Sequence, residues 1–201
     1  MITFDESTAG LRLARAAIVA SLPGRERFDP EALVRASSLP PLFAHPRGVF
    51  VTLKEHPDGA LRGCIGYPLP RYPLGLAIAR IAPAAAFDDP RFPPVRAAEL
   101  DGLRIELSIL TVPEPIDDPD PADRLARVRV GIDGLILEVG DAAGLLLPQV
   151  APDQGWDAPA FLAGLCEKAG VADDAWRRPD ARLYRFQADV VGERAPGVVG
   201  G

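Results

Sequence analysis

The sequence is poor in the residues from which most recognisable catalytic centres are built. Of 201 residues, two are cysteine and two are histidine. Cys64 and Cys166 lie far apart, so they form no disulfide framework and point to a reducing compartment. The spacing of His45, His56, Cys64 and Cys166 matches no zinc pattern, and no metal or other cofactor is expected. No apolar run is long enough to cross a bilayer. Residues 1–6 are acidic and lack the basic start of a secretory signal, so a cytoplasmic protein is expected. Clustered Lys and Arg are missing too. The net charge is -6 and the arginines are scattered among acidic neighbours, which argues against nucleic-acid and membrane-surface partners. Tandem repeats and low-complexity linkers are absent as well.

What is present is a chain that is 48% hydrophobic and long enough to bury a substantial core. Ser7 or Thr8 is placed to cap a helix with an apolar stripe at Leu11, Ala14, Ile18 and Leu22. A short helix is expected over 30–36. Residues 48–54 and 61–66 read as a hairpin across the turn Pro57-Asp58-Gly59. Residues 74–86 read as a buried helix, with Pro83 kinking it or splitting off its last turn. Leu103, Ile105, Leu107 and Ile109 alternate with Arg104, Glu106 and Ser108 in a strand. Residues 112–121 read as a surface loop, and 135–139 and 145–147 as paired strands. Asp157 is placed to cap a helix ending at Gly170, and a final strand is expected over 183–191. Hairpins with helices between them predict an α+β fold, a mostly antiparallel sheet with flanking helices, over 1–194, followed by a flexible tail over 195–201.

Leu61-Arg62-Gly63-Cys64-Ile65-Gly66 is the most informative stretch. In an extended segment Arg62, Cys64 and Gly66 share one face. A guanidinium beside a thiol favours the thiolate, and Gly63 and Gly66 leave room for a close approach to the sulfur. The plainer reading is a small buried cysteine in a tightly packed strand.

The blocks Gly48-Val49-Phe50-Val51-Thr52-Leu53, Leu61-Arg62-Gly63-Cys64-Ile65-Gly66 and Phe87-Asp88-Asp89-Pro90-Arg91-Phe92-Pro93-Pro94 carry a wider pattern. So do Ile105-Glu106-Leu107-Ser108, Gly131-Ile132-Asp133-Gly134, Leu147-Pro148-Gln149-Val150 and Gly155-Trp156-Asp157. In this order they resemble the AMMECR-domain family, whose bacterial and archaeal members are called AmmeMemoRadiSam system protein A. The resemblance implies a larger and a smaller lobe around a cleft lined by these residues. It also implies partnership with a Memo-like protein and a radical S-adenosylmethionine protein, and it implies no established reaction.

Two uses of these residues stand side by side. In an enzyme, Cys64 is the nucleophile, Arg62 its cationic partner, Lys54 a second cation on the same face, and Glu106 or Asp88 the base. His45 and His56 each precede a proline and read as turn residues. In a non-catalytic module for a ligand or protein, Arg62, Gly63, Gly66, Lys54, Asp88, Arg91, Glu106 and Gln149 recognise an unknown small polar ligand. Internal salt bridges account for the same charges equally well. The expected function is an accessory or enzyme component of a radical S-adenosylmethionine-linked modification pathway, centred on Cys64.

Overall fold

Thr3 opens the first helix, α1 (Phe4–Ala20), with a reciprocal cap. Its hydroxyl accepts from the Glu6 N–H at 3.2 Å, and Glu6 Oε2 accepts from the Thr3 N–H at 2.8 Å. This capping box sets the start ahead of Ser7 and Thr8, which lie inside the helix. The structure, a computed structural model, describes residues 2–24 and 27–199. The chain divides into two units, residues 1–110 with 189–201, and residues 111–188.

In the first unit α1 is followed by α2 (Pro30–Ala36), β1 (Val49–Glu55), β2 (Leu61–Tyr67), α3 (Leu74–Phe87) and β3 (Leu103–Leu110). β1 lies between β2 and β3 and is antiparallel to both. Val49, Val51 and Leu53 of β1 and Ile105, Leu107 and Ile109 of β3 share one core with Leu11 and Ile18 of α1 and Leu74, Ile78 and Ile81 of α3. Each such buried side chain stabilises the fold by roughly 1.5–3 kcal/mol. Alternation leaves Phe50, Thr52 and Lys54, with Arg104, Glu106 and Ser108, on the opposite face of the sheet.

α3 runs unbroken through Pro83 and keeps its last turn, so the expected splitting-off of that turn does not occur. Proline has no N–H for the carbonyl four residues back, a loss of about 3 kcal/mol in a helix interior. Here the flanking Ile81, Ala82, Ala85 and Ala86 are all buried, and their packing holds the turn.

The second unit holds β4 (Glu114–Pro115), α4 (Pro121–Ala126), β5 (Gly134–Val139), β6 (Ala142–Leu146), α5 (Val150–Gln154), α6 (Ala158–Ala169) and β7 (Arg182–Phe186). The strands form a sheet in the order β4-β7-β5-β6. Leu135, Leu137, Phe161, Leu162, Leu165, Cys166, Trp176 and Leu183 make its core. Asp157 caps α6 by accepting from the Ala160 N–H at 2.9 Å. β4 lies within the stretch expected to be a loop, and α5 has no counterpart in the sequence reading. β5 and β6 are joined by Gly140 and Asp141 alone, a tighter turn than expected.

The single strand expected over 183–191 is two strands parted at Gln187. β7 belongs to the second unit's sheet, and β8 (Ala188–Ala195) lies beside β3 in the first. β9 (Val198–Val199) pairs antiparallel with β8, so a hairpin stands where a loose tail is expected from residue 195. Residues 200 and 201 of that tail lie outside the described residues. Glu193 of β8 is buried and accepts from the Ile105 N–H at 2.9 Å and Arg15 Nε at 2.8 Å, tying α1 to the sheet. The fold is α+β, with antiparallel sheets flanked by helices.

Candidate functional site

β2 carries an irregularity at the point that matters most. Leu53 pairs with Gly63 and Lys54 with Leu61, so Arg62 is an extra residue in its strand, a β-bulge. Strict alternation therefore does not describe Arg62. Its side chain is buried and its donors are spent elsewhere. Nε and Nη2 donate to Glu99 Oε1 at 3.1 and 3.0 Å, and Nη1 donates to the Pro93 carbonyl at 2.9 Å. The Arg96 N–H, then the Arg62 guanidinium, hold the Glu99 carboxyl below its ordinary range. Arg62 thus holds together the segment after α3 rather than standing beside the thiol.

The cation that reaches Cys64 is Arg91. Asp89, Pro90, Arg91 and Phe92 form a turn closed by the Phe92 N–H donating to the Asp89 carbonyl at 3.1 Å, with proline at the position that favours it. Asp89 is 4% exposed, and its carboxylate is saturated. It accepts from the Cys64 N–H at 2.8 Å, from the Arg91 N–H at 3.1 Å, and from Arg91 Nε and Nη2 at 2.9 and 2.7 Å. Arg91 Nη2 also donates to the Cys64 carbonyl at 3.2 Å. The bidentate Arg91 pair, with the Cys64 and Arg91 N–H groups, holds the Asp89 carboxyl far below the usual carboxylate range despite its burial. The same ion pair raises the Arg91 guanidinium's pKa, and the Cys64 side chain adds a smaller part. Asp89 and Arg91 together clamp both backbone polar groups of Cys64.

The sulfur lies in a row that crosses three strands. Thr52 of β1 faces Cys64 of β2 on one side and Glu106 of β3 on the other. The Thr52 hydroxyl donates to Cys64 Sγ at 3.3 Å. Cys64 and Glu106 are two strand spacings apart, about 10 Å, so the Glu106 carboxylate does not act directly on the thiol. Glu106 Oε2 instead accepts from Lys54 Nζ at 2.8 Å in a half-exposed ion pair. The polar face thus carries a half-buried thiol, a hydroxyl, an ion pair and Arg104, and among the described residues no base hydrogen-bonds the sulfur.

The remaining expected site residues are distributed as follows. Asp88 is exposed at the end of α3, and its N–H donates to the Ala84 carbonyl. Its neighbour Asp89 is instead the carboxylate that contacts Cys64, at the backbone N–H, and the sequence marks Asp89 only by the proline that follows. Gly63 faces the core side: a Cβ there would lie 2.1 Å from the Ala85 carbonyl oxygen of α3. Gly66 is filled by Phe50, whose ring atoms would lie 2.3 Å from an added Cβ. Both glycines admit protein rather than open a path to the sulfur. Gln149 is exposed ahead of α5 in the second unit, and its side chain makes no capping hydrogen bond. His45 and His56 are exposed. Among the described residues, no three His, Cys, Asp or Glu side chains gather as a metal site needs, and no helix is long and apolar enough to cross a membrane.

Comparison with known proteins finds relatives over nearly the whole chain. A protein of Methanothermobacter thermautotrophicus is 49% identical over 189 residues, covering 94% of this chain and 95% of that one. A protein of Pyrococcus furiosus is 48% identical over 190 residues, covering 92% of this chain and 87% of its own. The crystal structure of an uncharacterised protein from Pyrococcus horikoshii matches with a TM-score of 0.79 at 44% identity, covering 97% of this chain and 94% of that one. The AMMECR1 family model matches residues 11–191, and the chain belongs to that family.

Proposed function

We propose that this chain is an accessory component of a radical S-adenosylmethionine-linked modification pathway, acting in the cytoplasm with Memo-like and radical-enzyme partners. The pathway follows from the family resemblance. In this reading the polar face around Cys64 binds a small polar ligand, and the thiol is a contact rather than a self-sufficient nucleophile. The observation that most supports it is the state of Asp89. The carboxylate nearest Cys64 is already saturated by four donors and ionised, so it has no capacity to take a proton from the thiol. The sulfur itself accepts a hydrogen bond from the Thr52 hydroxyl.

Purified protein is expected to show no Cys64-dependent hydrolysis of generic esters, peptides or phosphate esters. A pull-down with the neighbouring pathway proteins is expected to retain them with wild type and with Cys64→Ser alike. Hydrolysis that disappears in Cys64→Ser would sink the accessory reading and make this chain a thiol enzyme in its own right.

A further inference from the structure

Arg104 lies on the same polar face and directly opposite Lys54 on the neighbouring strand. Two like charges set opposite each other on one sheet face repel. Glu106, two residues along the strand from Arg104, compensates Lys54 through their ion pair. Among the described residues no carboxylate pairs with Arg104, and its Nε is buried without a hydrogen-bond acceptor. That is costly for a charged donor. Other arginines that reach into the fold are partnered. Arg15 and Arg62 hold the carboxylates of Glu193 and Glu99, and the buried Arg124 donates to the carbonyls of Asp118, Trp176 and Arg178.

We infer that Arg104 and Lys54 together form the receptor for an oxyanion, the carboxylate or phosphate group of the ligand held at the polar face. The inference rests on the ligand-binding reading above and adds the ligand's charge and the residues that read it. Arg104 supplies a planar fork of donors suited to two oxygens, and Lys54 supplies a point charge. Thr52 is two residues along β1 from Lys54, about 7 Å, so a ligand anchored on these cations reaches over the Thr52–Cys64 row. Glu106 competes with the anion for Lys54 and so sets the affinity.

The test uses the full chain, labelled with nitrogen-15, titrated with inorganic phosphate and separately with succinate at constant ionic strength. A saturable shift of the Arg104 Nε–H resonance is expected with at least one of them, together with a rise in Tm. The anion that binds more tightly identifies the group as phosphate or carboxylate. Arg104→Gln is expected to weaken binding about tenfold or more, Arg104→Lys to weaken it less, and Glu106→Gln to tighten it. A purely structural Lys54–Glu106 pair does not predict tightening. The inference fails if neither anion shifts the Arg104 resonance in wild type, or if Arg104→Gln binds as wild type does. Pathway turnover is not read in this experiment. Anion binding by a protein inactive in the pathway contradicts the functional reading alone, and pathway activity without anion binding contradicts this inference alone.

Discussion

At Asp89 one carboxylate serves four donors, two of them on the Arg91 side chain. Asp89→Asn removes the charge and leaves the Arg91 donors poorly matched, so a loss of about 2 kcal/mol is expected in urea unfolding. Asp88→Asn, on the exposed neighbour, is expected to stay within about 0.5 kcal/mol. Acid sensitivity follows with a definite sign. The Asp89 carboxyl is depressed in the folded state, so its contribution is complete above the unfolded value of about 3.9 and is lost as pH falls below it towards the folded value. Asp89→Asn therefore flattens the acid limb of the stability curve, and an unchanged limb would show that the clamp is not ionised as described. The two thiols separate just as clearly. Cys166 is fully buried, and burial pushes its pKa up, whereas Cys64 is half-buried. A maleimide is expected to label Cys64 alone in the native protein and both thiols in urea, as mass spectrometry would read. Residue alternation was enough to predict that Lys54 joins Cys64 on one face. It failed at Arg62, because a bulge shifts the register without leaving a mark in residue type. It also could not choose between Asp88 and Asp89, since that depends on where α3 ends.

Among the elements, α3 and β2 fix where Cys64 sits. Their backbones approach at Gly63, where an added Cβ would lie 2.1 Å from the Ala85 carbonyl oxygen. A backbone atom cannot swing aside as a side chain does, so Gly63→Ala is expected to cost about 2–3 kcal/mol in chemical unfolding. A change near zero would mean that β2 and α3 are farther apart than described. Pro83 offers the opposite change. Restoring an N–H in the middle of α3 recovers up to about 3 kcal/mol, less about 1 kcal/mol of extra freedom in the unfolded chain. Pro83→Ala is thus expected to stabilise by about 2 kcal/mol, seen as a higher urea midpoint. Strongly patterned elements such as β1, β3 and α6 were legible because burial, alternation and caps all agree in them. The two-residue strands β4 and β9 were not, since pairing with β7 and β8 rather than their own residues defines them. The β7–β8 break at Gln187 was hidden for a related reason. The alternation of Tyr184, Phe186, Ala188 and Val190 with Arg185, Gln187 and Asp189 continues across it while the chain passes from one sheet to the other.

For the molecule as a whole, family membership and the fold are well determined by ordered sequence blocks, whereas the chemistry of the site depends on side-chain directions that those blocks do not specify. The net charge of -6 coexists with a local excess of positive charge where Lys54 and Arg104 face each other, and a whole-chain count conceals it. The central claim is that this face works by binding, with Cys64 as a contact. Its most direct test is turnover by the reconstituted pathway, measured with wild type, Cys64→Ser and Lys54→Met at matched folded concentration. The account predicts that Cys64→Ser keeps turnover near the wild-type level, while Lys54→Met, which removes the cation from the face, loses about tenfold or more. Abolished turnover in a folded Cys64→Ser, with Lys54→Met unaffected, would contradict it and make the thiol the reacting group.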